Sequence, residues 1–561
     1  MTDPLTVAAR LDLYLYNWLD DLLRKNFGWE REALIELIRS ADLHAYFQHF
    51  FAKPELTDQF ASKCLSIQRG IGPLLCALLP KLEQYGDGIP LFPSTDATAA
   101  WADHTLDKTG QLAMLRRLAH GERYGLTRGE VHSNEHLSIH IVASNIEASD
   151  RKDLDWLTSN TLAHRTERQK YLDSQLRGWA RDRIDQYVGI YMGHFICYDS
   201  DWELHQLYRE QAESLLIASA EADTFPDDVV IGPRTFGEWK AIVITAVARA
   251  MLHLSFATRL SAKNTNRLNL RNLLTIHVRQ EDLRVVWSQQ TGITDDNELD
   301  EIADIFMLTT KHAEEYYSHC DYPLPYNIRF GKYFALLPQF GYIGNACTFL
   351  VTELKRKYRK EWDKAVNLRE AKFQQDIYKL LPAPAYIRGK DNVIVRDGNR
   401  TNKTDIDAVL FDKACNCIYL FQLKWFDVFG LRLKERQSKL NNLLKAEEWV
   451  DRVNLWVSNV SNRELFSYLG LSKHLPARSV DVRLIVLTRN GARFSGTHKY
   501  DERAAWISWP RLCRLVSENK THPSPLEVAW HAAKTDADAE HQPSGECTEY
   551  SFPGLRIDVF S

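Results

Sequence analysis

The chain has 561 residues, enough for two to four domains of about 150 residues each. Hydrophobic residues make up 45% of the chain and charged residues 26%, a balance typical of globular proteins that excludes a disordered polypeptide. The net charge of −4 excludes a coat of positive charge over the whole surface. Any contact with nucleic acid is therefore expected to use a local basic patch.

The N-terminal segment and the cysteines indicate a cellular compartment. The first residues include acids instead of a basic stretch followed by an apolar block, so no secretory signal peptide is predicted. The sequence has no run of 18 apolar residues, so we expect no contact with a membrane. The nine cysteines are scattered from Cys64 to Cys547 without the spacing of a disulfide framework or a zinc site. These features predict a cytoplasmic protein.

The first half of the chain shows the periodicity of helices. Between Leu11 and Phe27, apolar residues recur every three or four positions, and Gly28 marks the predicted end of this helix. Similar spacing recurs through residues 171–191 and 246–260. We therefore expect residues 1–325 to form a large, mainly α-helical region with a recognition or regulatory role. This region is also where we expect a protein partner to bind.

The character of the sequence changes after residue 325. Residues 326–365 are predicted to form a basic helical connector, because basic residues crowd its end, namely Lys355, Arg356, Lys357, Arg359 and Lys360. Beyond it, short apolar runs rich in strand-forming residues alternate with helical stretches. We predict that residues 366–561 form an α/β domain with a mixed central sheet and a last strand at 555–560. The predicted fold class is therefore α+β and multidomain.

Two acids lie at the start of one predicted strand of this domain. If residues 404–411 form a strand, Asp405, Asp407 and Val409 share one face. The apolar residues between them, including Ile406 and Ala408, then share the other face. The alternation predicts that both carboxylates point to the same side of the sheet.

The next predicted strand, 417–424, ends in polar residues. Gln422 and Lys424 lie on one of its faces, and the opposite face is apolar. A turn at 412–416 returns the chain as a hairpin, so these two side chains are expected to lie beside Asp407.

These three residues supply the parts that phosphodiester hydrolysis needs. The reaction uses a hard cation held by oxygen ligands, to activate water and to neutralise charge on the phosphate. Asp407 and Gln422 are the candidate metal ligands, together with the main-chain carbonyl of Leu423. The ammonium of Lys424 can orient the attacking water or stabilise the transition state.

The pattern resembles the PD-(D/E)xK nuclease superfamily, which has the restriction-endonuclease-like fold, in the Gln-x-Lys variant found in Mrr-like enzymes. The resemblance covers residues 365–490 and rests on few positions. It implies that Asp407 binds the metal, that Gln422 takes the second acidic position, and that Lys424 is the catalytic lysine. It also implies Mg²⁺ or Mn²⁺ as the cofactor. Because Gln422 lacks a negative charge, metal is expected to bind more weakly than at a site with two acids.

Members of this superfamily often add an acid from the helix before the sheet. A helix over residues 362–381 places Glu370 within its apolar stripe, where an acid needs a partner. We therefore predict Glu370 as the third catalytic acid. The usual family position falls instead on Gln374, and a salt bridge with Arg369 is an equal alternative for Glu370.

A helix predicted after Gly430 carries basic residues at its start. Arg432, Arg436 and Lys439 share one face, and apolar residues continue that face further along the helix. These three residues are the candidate nucleic-acid contacts, with a solvated helix face as the alternative. The basic run that begins at Lys355 is a second candidate clamp for the substrate.

Two further groups of residues, three histidines and two cysteines, are predicted to pack instead of forming a functional site. His132, His136 and His140 lie in a segment that alternates like a strand and has no cysteine nearby, so packing is favoured over metal binding. Cys415 and Cys417 are expected to pack in the turn and strand around them.

The sequence therefore predicts a Mg²⁺-dependent DNA endonuclease. The resemblance further implies a role in restriction or antiviral defence. The alternative is a nuclease fold that has lost catalysis and serves as a nucleic-acid-binding or protein-interaction module. Glutamine at position 422 fits both possibilities.

Overall fold

The computed structural model describes residues 6–51, 58–86, 88–143, 147–163, 166–217, 219–264, 267–312, 324–344, 347–396, 403–427, 433–494, 498–535 and 545–561. The helices of these residues span Val7–Lys25, Glu30–Phe51, Asp58–Leu82, Asp96–His120, Glu147–Ala163, Thr166–Arg177, Trp179–Tyr187, Trp202–Ile217, Phe236–Lys263, Arg271–Leu274, Gln280–Thr291, Asp296–Phe306, Gln339–Ile343, Thr348–Lys357, Arg359–Val366, Arg369–Leu380, Leu433–Asn459, Asn462–Tyr468, Trp509–Glu518 and Pro525–Thr535.

The strands are numbered in chain order. They are β1 Thr127–Val131, β2 His136–Ile141, β3 Val188–Tyr191, β4 Phe195–Tyr198, β5 Val230–Ile231, β6 Arg234–Thr235, β7 Ile276–Arg279, β8 Met307–Leu308, β9 Asn327–Phe330, β10 Phe334–Leu337, β11 Tyr386–Arg388, β12 Val393–Arg396, β13 Lys403–Ile406, β14 Ala408–Asp412, β15 Cys417–Lys424, β16 Asp481–Thr488, β17 Ala504–Ser508, β18 Cys547–Phe552 and β19 Leu555–Phe560.

The first helix shows how the helical region is built. Thr6 caps it by accepting a hydrogen bond from the Ala9 amide, and its buried stripe recurs every three or four residues. The helix begins before the predicted Leu11 and ends at Lys25, with Gly28 at a φ of +81° just beyond. The mainly helical N-terminal region is thus observed, with small sheets between its helices.

The longest helix, Phe236–Lys263, is apolar along much of its length. Among the residues that the structure describes, it is the one helix long and apolar enough to cross a membrane. However, 61% of its most apolar stretch is buried inside the protein, including Trp239 and Phe256. Because neighbouring helices cover these side chains, it serves here as the central helix of the N-terminal core.

The segment 326–365 differs from the predicted helical connector. It begins with β9 and β10, which join β7 and β8 in a four-stranded sheet. Its buried side chains, Tyr326 and Leu336 among them, belong to the same core as the N-terminal helices. This segment is therefore an integral part of the N-terminal region, because long-range strand pairing holds its first half.

The C-terminal half contains a five-stranded mixed sheet in the order β11-β14-β15-β16-β17. The first three strands are antiparallel, and β15, β16 and β17 are parallel. The helix Leu433–Asn459 covers one face of the sheet, and three helices, starting at Arg369, Trp509 and Pro525, cover the other. The predicted mixed α+β fold is therefore observed, with helices on both faces of the sheet.

The last strands of the chain return to the N-terminal region. β19 forms over the predicted residues 555–560, but it pairs in parallel with β2 in the sheet β1-β2-β19-β18. Asp558 accepts a hydrogen bond from the ring of His136 across this junction, with 2.9 Å between Nε2 and Oδ2. The predicted 366–561 domain therefore does not keep its own C-terminal strand.

Candidate active site at a break between two strands

Asp407 stands at a break between β13 and β14. β13 pairs with β12, whereas β14 pairs with β11 and β15, so the single predicted strand over 404–411 is in fact two. Ile406 and Val409 pack on the same side of the sheet. The expected alternation had placed these two residues on opposite faces. The correction has a physical cause, because the backbone changes partners at Asp407 and the side-chain alternation resets there.

The carboxylate of Asp407 is buried and meets Gln422 on the neighbouring strand. Its Oδ2 atom accepts a hydrogen bond of 2.5 Å from Nε2 of Gln422 and another of 2.5 Å from the main-chain amide of Leu423. The half-buried Lys424 follows on the same face of β15 as Gln422. The hairpin therefore brings together the three residues that the sequence singled out.

The electrostatic environment of Asp407 favours its neutral form. Burial, together with the nearby carboxylates of Glu370 and Asp405, raises the pKa of this carboxyl to about 7. The Leu423 amide and the Lys424 ammonium oppose this shift. Asp407 is thus a carboxyl group that ionises near neutral pH, which is a common property of functional sites.

Glu370 reaches the same site, but from an exposed position. The helix predicted over 362–381 is broken at residues 367–368, and Arg369 takes the buried position at the start of the second piece. The expectation that Glu370 lies within the buried stripe was therefore wrong. Partial desolvation raises the pKa of Glu370, the charge of Lys424 lowers it, and Asp405 raises it. Glu370 thus faces solvent, and the charges of the site act on its pKa.

Gln374, the alternative helix position, contacts the backbone instead of the carboxylate. Its Nε2 atom donates to the main-chain oxygen of Asp407 at 2.7 Å and to Oδ1 of Asn392 at 2.8 Å. Asn392 has a φ of +50°, a conformation that asparagine tolerates better than most residues. Gln374 therefore holds the strand break in place, and the helix contributes to the site through both residues.

Two contributors to the site were not predicted from the sequence. Asn392 anchors Gln374, and Trp449 donates from Nε1 to the main-chain oxygen of Asp405 at 2.6 Å. The Asp-Asn pair at 391–392 is a turn signal that marks the first of these. Nothing local marks Trp449, because its role depends on a helix that packs across the sheet.

The carboxylates near Asp407 have the charge that a divalent cation needs, but they do not surround a common point. Asp407, Asp405 and Glu370 carry carboxylates, and Lys424 is the cation whose charge acts on Asp407 and Glu370. Among the described residues, no three His, Cys, Asp or Glu side chains lie close enough to hold a metal ion. Gln422 also turns its N–H group, not its oxygen, toward Asp407. Metal binding at this site therefore requires the amide to turn and the carboxylates to approach.

The predicted nucleic-acid contacts differ in their surroundings. Arg432 lies outside the described residues, and Arg436 is half-buried. Lys439 donates from Nζ to the main-chain oxygen of Asp427 at 2.9 Å, and burial lowers its pKa. Lys439 therefore has a structural partner in addition to its proposed role at the substrate.

Lys439 belongs to a group of charges that we name the Asp427 cluster, comprising Asp427, Arg369, Lys355, Glu435 and Lys439. Nη1 of Arg369 lies 2.9 Å from one carboxylate oxygen of Asp427, and Nζ of Lys355 lies 3.2 Å from the other. Burial opposes ionisation of Asp427, but Arg369, Lys355 and Lys439 together lower its pKa to about 2. The cluster thus joins the connector segment to the sheet domain by ion pairs.

The basic residues that follow Lys355 also form ion pairs with acidic residues. Arg356 pairs with Glu353 at 2.8 Å, Lys357 with Asp304 at 2.9 Å, and Arg359 with Asp363 at 3.1 Å. These pairs neutralise much of the charge that the sequence had suggested as a clamp.

The histidines and cysteines noted in the sequence have packing roles. His136 and His140 lie in β2, where His140 stacks on Phe560 and His136 bonds to Asp558. Cys417 is the buried first residue of β15, and Cys415 lies beside it in the turn.

Comparison of the chain with protein-family models, curated proteins and solved structures gives no match. The function is therefore argued from the geometry of the site.

Proposed function

We propose that the Asp407 site hydrolyses phosphodiester bonds, with DNA as the substrate and Mg²⁺ or Mn²⁺ as the cofactor. One observation carries the proposal: the carboxylate of Asp407, at the β13–β14 break, accepts a hydrogen bond from the amide of Gln422 on β15, and the charges of Lys424 and Glu370 act on this carboxylate. Side chains that lie apart in sequence converge at one strand break. Such convergence of ionisable groups with a shifted pKa is typical of active sites.

The fold around the site supports a restriction-endonuclease-like domain. A helix carrying the third acid precedes a mixed sheet whose antiparallel hairpin, β14–β15, holds the paired polar residues. The helix Leu433–Asn459 then crosses to β16, which is parallel to β15. This arrangement agrees with the helix-before-sheet position that the resemblance assigned to the third acid.

Each residue has a distinct role in the proposed reaction. Asp407 and Gln422 would hold the cation, with Glu370 as the additional acid, and the bound cation would supply an activated water and charge neutralisation. Lys424 places a positive charge beside these acids, where it stabilises negative charge developing on the phosphate. Gln374 keeps the main chain of Asp407 fixed, so the carboxylate needs little reorganisation.

By the same resemblance, we propose that the enzyme serves restriction or antiviral defence in the cytoplasm, with the helical region binding a protein partner or the substrate.

A second function, nucleic-acid binding without cleavage, is favoured by the hydrogen bonds of Asp407. Its Oδ2 atom already accepts from two donors, as the carboxylate of a purely structural residue would. In that case the sheet domain retains the fold and the helical region provides the interaction.

Cleavage assays with matched lysine variants separate the two functions. Plasmid, linear and single-stranded DNA, and an RNA of the same sequence, are incubated with the full chain across a titration of Mg²⁺ and Mn²⁺. Asp407→Ala and Lys424→Ala are each expected to lower the cleavage rate by about a hundredfold to a thousandfold, because a positioned charge contributes about 2.7 to 4 kcal/mol.

The control is Lys413→Ala, which removes an exposed lysine from the turn at the other end of the same hairpin. It should cleave like the unaltered chain. If the unaltered chain cleaves none of the substrates yet binds them as well as both site variants do, the non-catalytic function replaces the proposed one.

A further inference from the structure

Two cysteines lie side by side at the turn of the β14–β15 hairpin, and their surroundings go beyond packing. Cys415 is a partly exposed residue of the turn, and Cys417 is the buried first residue of β15. Asn416 between them has a φ of +56°, in the left-handed region that tight turns use. The thiol of Cys417 donates a hydrogen bond to the sulfur of Cys415. The two sulfur atoms are therefore neighbours, one on a partly exposed residue and the other in the core.

Two hydroxyl groups also contact the sulfur of Cys415. Oη of Tyr419, on β15, lies 3.8 Å from it, and Oγ of Ser524 lies 3.6 Å from it. Arg483 donates from Nη1 to Oη of Tyr419 at 3.1 Å, so the hydroxyl proton of Tyr419 can point at the sulfur. Ser524 shares its hydroxyl group between this sulfur and the carboxylate of Asp412. The sulfur of Cys415 thus has one thiol and two hydroxyl groups as donors.

These donors stabilise a thiolate at Cys415. The hydrogen bond from Cys417 lowers the pKa of Cys415, and those from Ser524 and Tyr419 lower it as well. Burial and the charge of Asp412 oppose them, and the resulting pKa of Cys415 is about 7. The hydrogen bond to Cys415 and burial raise the pKa of Cys417, which keeps its proton. Near neutral pH the pair therefore combines a thiolate with a protonated thiol, as in cysteine pairs that react with oxidants.

We propose that Cys415 and Cys417 form a peroxide-reactive dithiol, in which Cys415 is oxidised first and Cys417 then closes the disulfide. The proposal stands on the three donors to one sulfur and on the second thiol beside it. It does not depend on the proposed nuclease activity, because the cysteines lie at the turn of the hairpin, whereas Asp407 and Gln422 lie at its open end.

The reaction has two steps. In the first, the thiolate of Cys415 attacks one oxygen of hydrogen peroxide, so that a bond between sulfur and oxygen forms and the bond between the two oxygens breaks. The leaving hydroxide takes up the proton that the Cys415 thiol had released and becomes water. In the second step, the sulfur of Cys417 attacks the sulfenic acid, a disulfide forms, and the hydroxyl group leaves with the Cys417 proton as a second water. The two thiols together lose two electrons, and these reduce the peroxide.

Peptide mapping of the full chain tests the proposal. The reduced chain is treated with hydrogen peroxide at neutral pH, free thiols are blocked with iodoacetamide, and trypsin cleaves after Lys413 and Lys424. Both cysteines then lie in the single peptide 414–424. We expect this peptide to lose the mass of two hydrogen atoms, to take up no iodoacetamide, and to regain two thiols in dithiothreitol. Cys197 and Cys547 are more exposed and serve as internal controls, which should be oxidised more slowly.

Two cysteine variants separate the steps. Cys417→Ser removes the second thiol, so peroxide should leave a sulfenic acid on Cys415. Dimedone should trap this sulfenic acid with a yield about tenfold above that of the unaltered chain. Cys415→Ser removes the attacking thiolate, so Cys417 should stay unmodified at the same peroxide concentration.

The pH dependence of alkylation tests the donors, and it does not depend on how accessible the sulfur is. The rate at which Cys415 takes up iodoacetamide should have its midpoint near pH 7, below the value of about 8.5 for an ordinary thiol. Tyr419→Phe keeps the ring but removes a hydroxyl donor, so the midpoint should rise by about 0.5 to 1 pH unit. Tyr468→Phe alters an exposed tyrosine on the helix Asn462–Tyr468 and should leave the midpoint unchanged.

Three outcomes would overturn the proposal. One is oxidation of Cys415 that is no faster than that of Cys197 and Cys547. Another is a disulfide from Cys415 to a cysteine other than Cys417. The third is an alkylation midpoint at or above about pH 8.5. Because the mapping and the alkylation use the unaltered chain, they test the proposal even if Cys417→Ser does not fold.

Discussion

Asp407 and Asp427 are two aspartates of the same domain with opposite electrostatic environments. Asp427 is surrounded by Arg369, Lys355 and Lys439, and its pKa is lowered to about 2. Asp407 receives hydrogen bonds from an amide side chain and a main-chain amide, lies near other carboxylates, and has a pKa raised to about 7. The first environment stabilises a permanent negative charge, whereas the second leaves the charge poorly compensated.

This difference separates an aspartate with structural ion pairs from the aspartate that we propose as a catalytic residue. The cations around Asp427 offset the free energy of removing its carboxylate from water. Their ion pairs join two segments of the chain. At Asp407 that cost is not recovered within the protein, and a bound cation would recover it. Burial alone therefore does not distinguish the two residues, but the sign of the pKa shift does.

The largest expected effect is on catalysis at Asp407. Asp407→Asn retains an oxygen that can accept from Gln422 and Leu423 but loses the charge, so cleavage should fall about a thousandfold. Cleavage rate and urea unfolding are measured together. Asp412→Asn alters a buried aspartate at the other end of β14, which bonds to Ser524, and should leave cleavage within twofold. Equal losses in both variants would mean that the effect is structural.

The next effect is on stability at Asp427. Asp427→Asn leaves Arg369 and Lys355 without their carboxylate and should lower the free energy of unfolding by about 3 kcal/mol. Chemical denaturation measures this change. Glu435→Gln removes a more exposed acid that also pairs with Lys355, at 3.4 Å, and should cost less than about 1 kcal/mol. A similarly small decrease in the free energy of unfolding for both variants would show that the Asp427 cluster does not stabilise the fold.

The two aspartates should also give stability profiles of opposite sign with pH. Between about pH 4 and 7, folded Asp407 retains a proton that the unfolded chain releases, so its contribution to stability falls as pH rises, by at most about 1.4 kcal/mol per pH unit. Folded Asp427 stays ionised down to about pH 2, so its contribution is lost as pH falls from about 4 toward 2.

The comparison is made on metal-free protein in EDTA, by subtracting the unfolding free energies of Asp407→Asn and Asp427→Asn from those of the unaltered chain. A difference curve for Asp407 that rises with pH would contradict the assigned pKa shift.

A smaller effect concerns metal affinity at Gln422. Gln422→Glu adds a second charged oxygen ligand beside Asp407, so the affinity for Mn²⁺ should rise about tenfold. Calorimetric titration of Mn²⁺ measures the change. In EDTA the same variant should be less stable, because two carboxylates would face each other at this position. An unchanged Mn²⁺ affinity would exclude Gln422 as a metal ligand.

The smallest effect is at Lys439. Lys439→Met keeps most of the side-chain stem but loses the bond to the Asp427 carbonyl, so stability should fall by about 1 kcal/mol. Lys445→Met, on the exposed face of the same helix, should have no effect. The salt dependence of DNA binding is measured for both variants. This dependence is the slope of the logarithm of the binding constant against the logarithm of the salt concentration. A decrease of about one in the magnitude of this slope for Lys439→Met would assign the residue to the substrate interface as well.

Local pattern was sufficient for the elements of the candidate site. The alternation of residues 417–424 predicted β15 with its observed bounds, and it placed Gln422 and Lys424 on one face. The last strand, 555–560, was also predicted with its observed bounds. These features follow from the sequence because the two-residue period of a strand is a local property of the backbone.

Only the tertiary structure decided which elements pair and which charges are compensated. The break at Asp407, the burial of Arg369 and the return of β19 to β2 each depend on contacts between residues far apart in the chain. The sequence by itself determined that Asp407, Gln422 and Lys424 could meet, since strand period and turn position are local. Whether an aspartate is neutralised by cations, as at Asp427, or left poorly compensated, as at Asp407, was decided by packing, because the electrostatic free energy of a buried charge depends on every group that the fold brings near it.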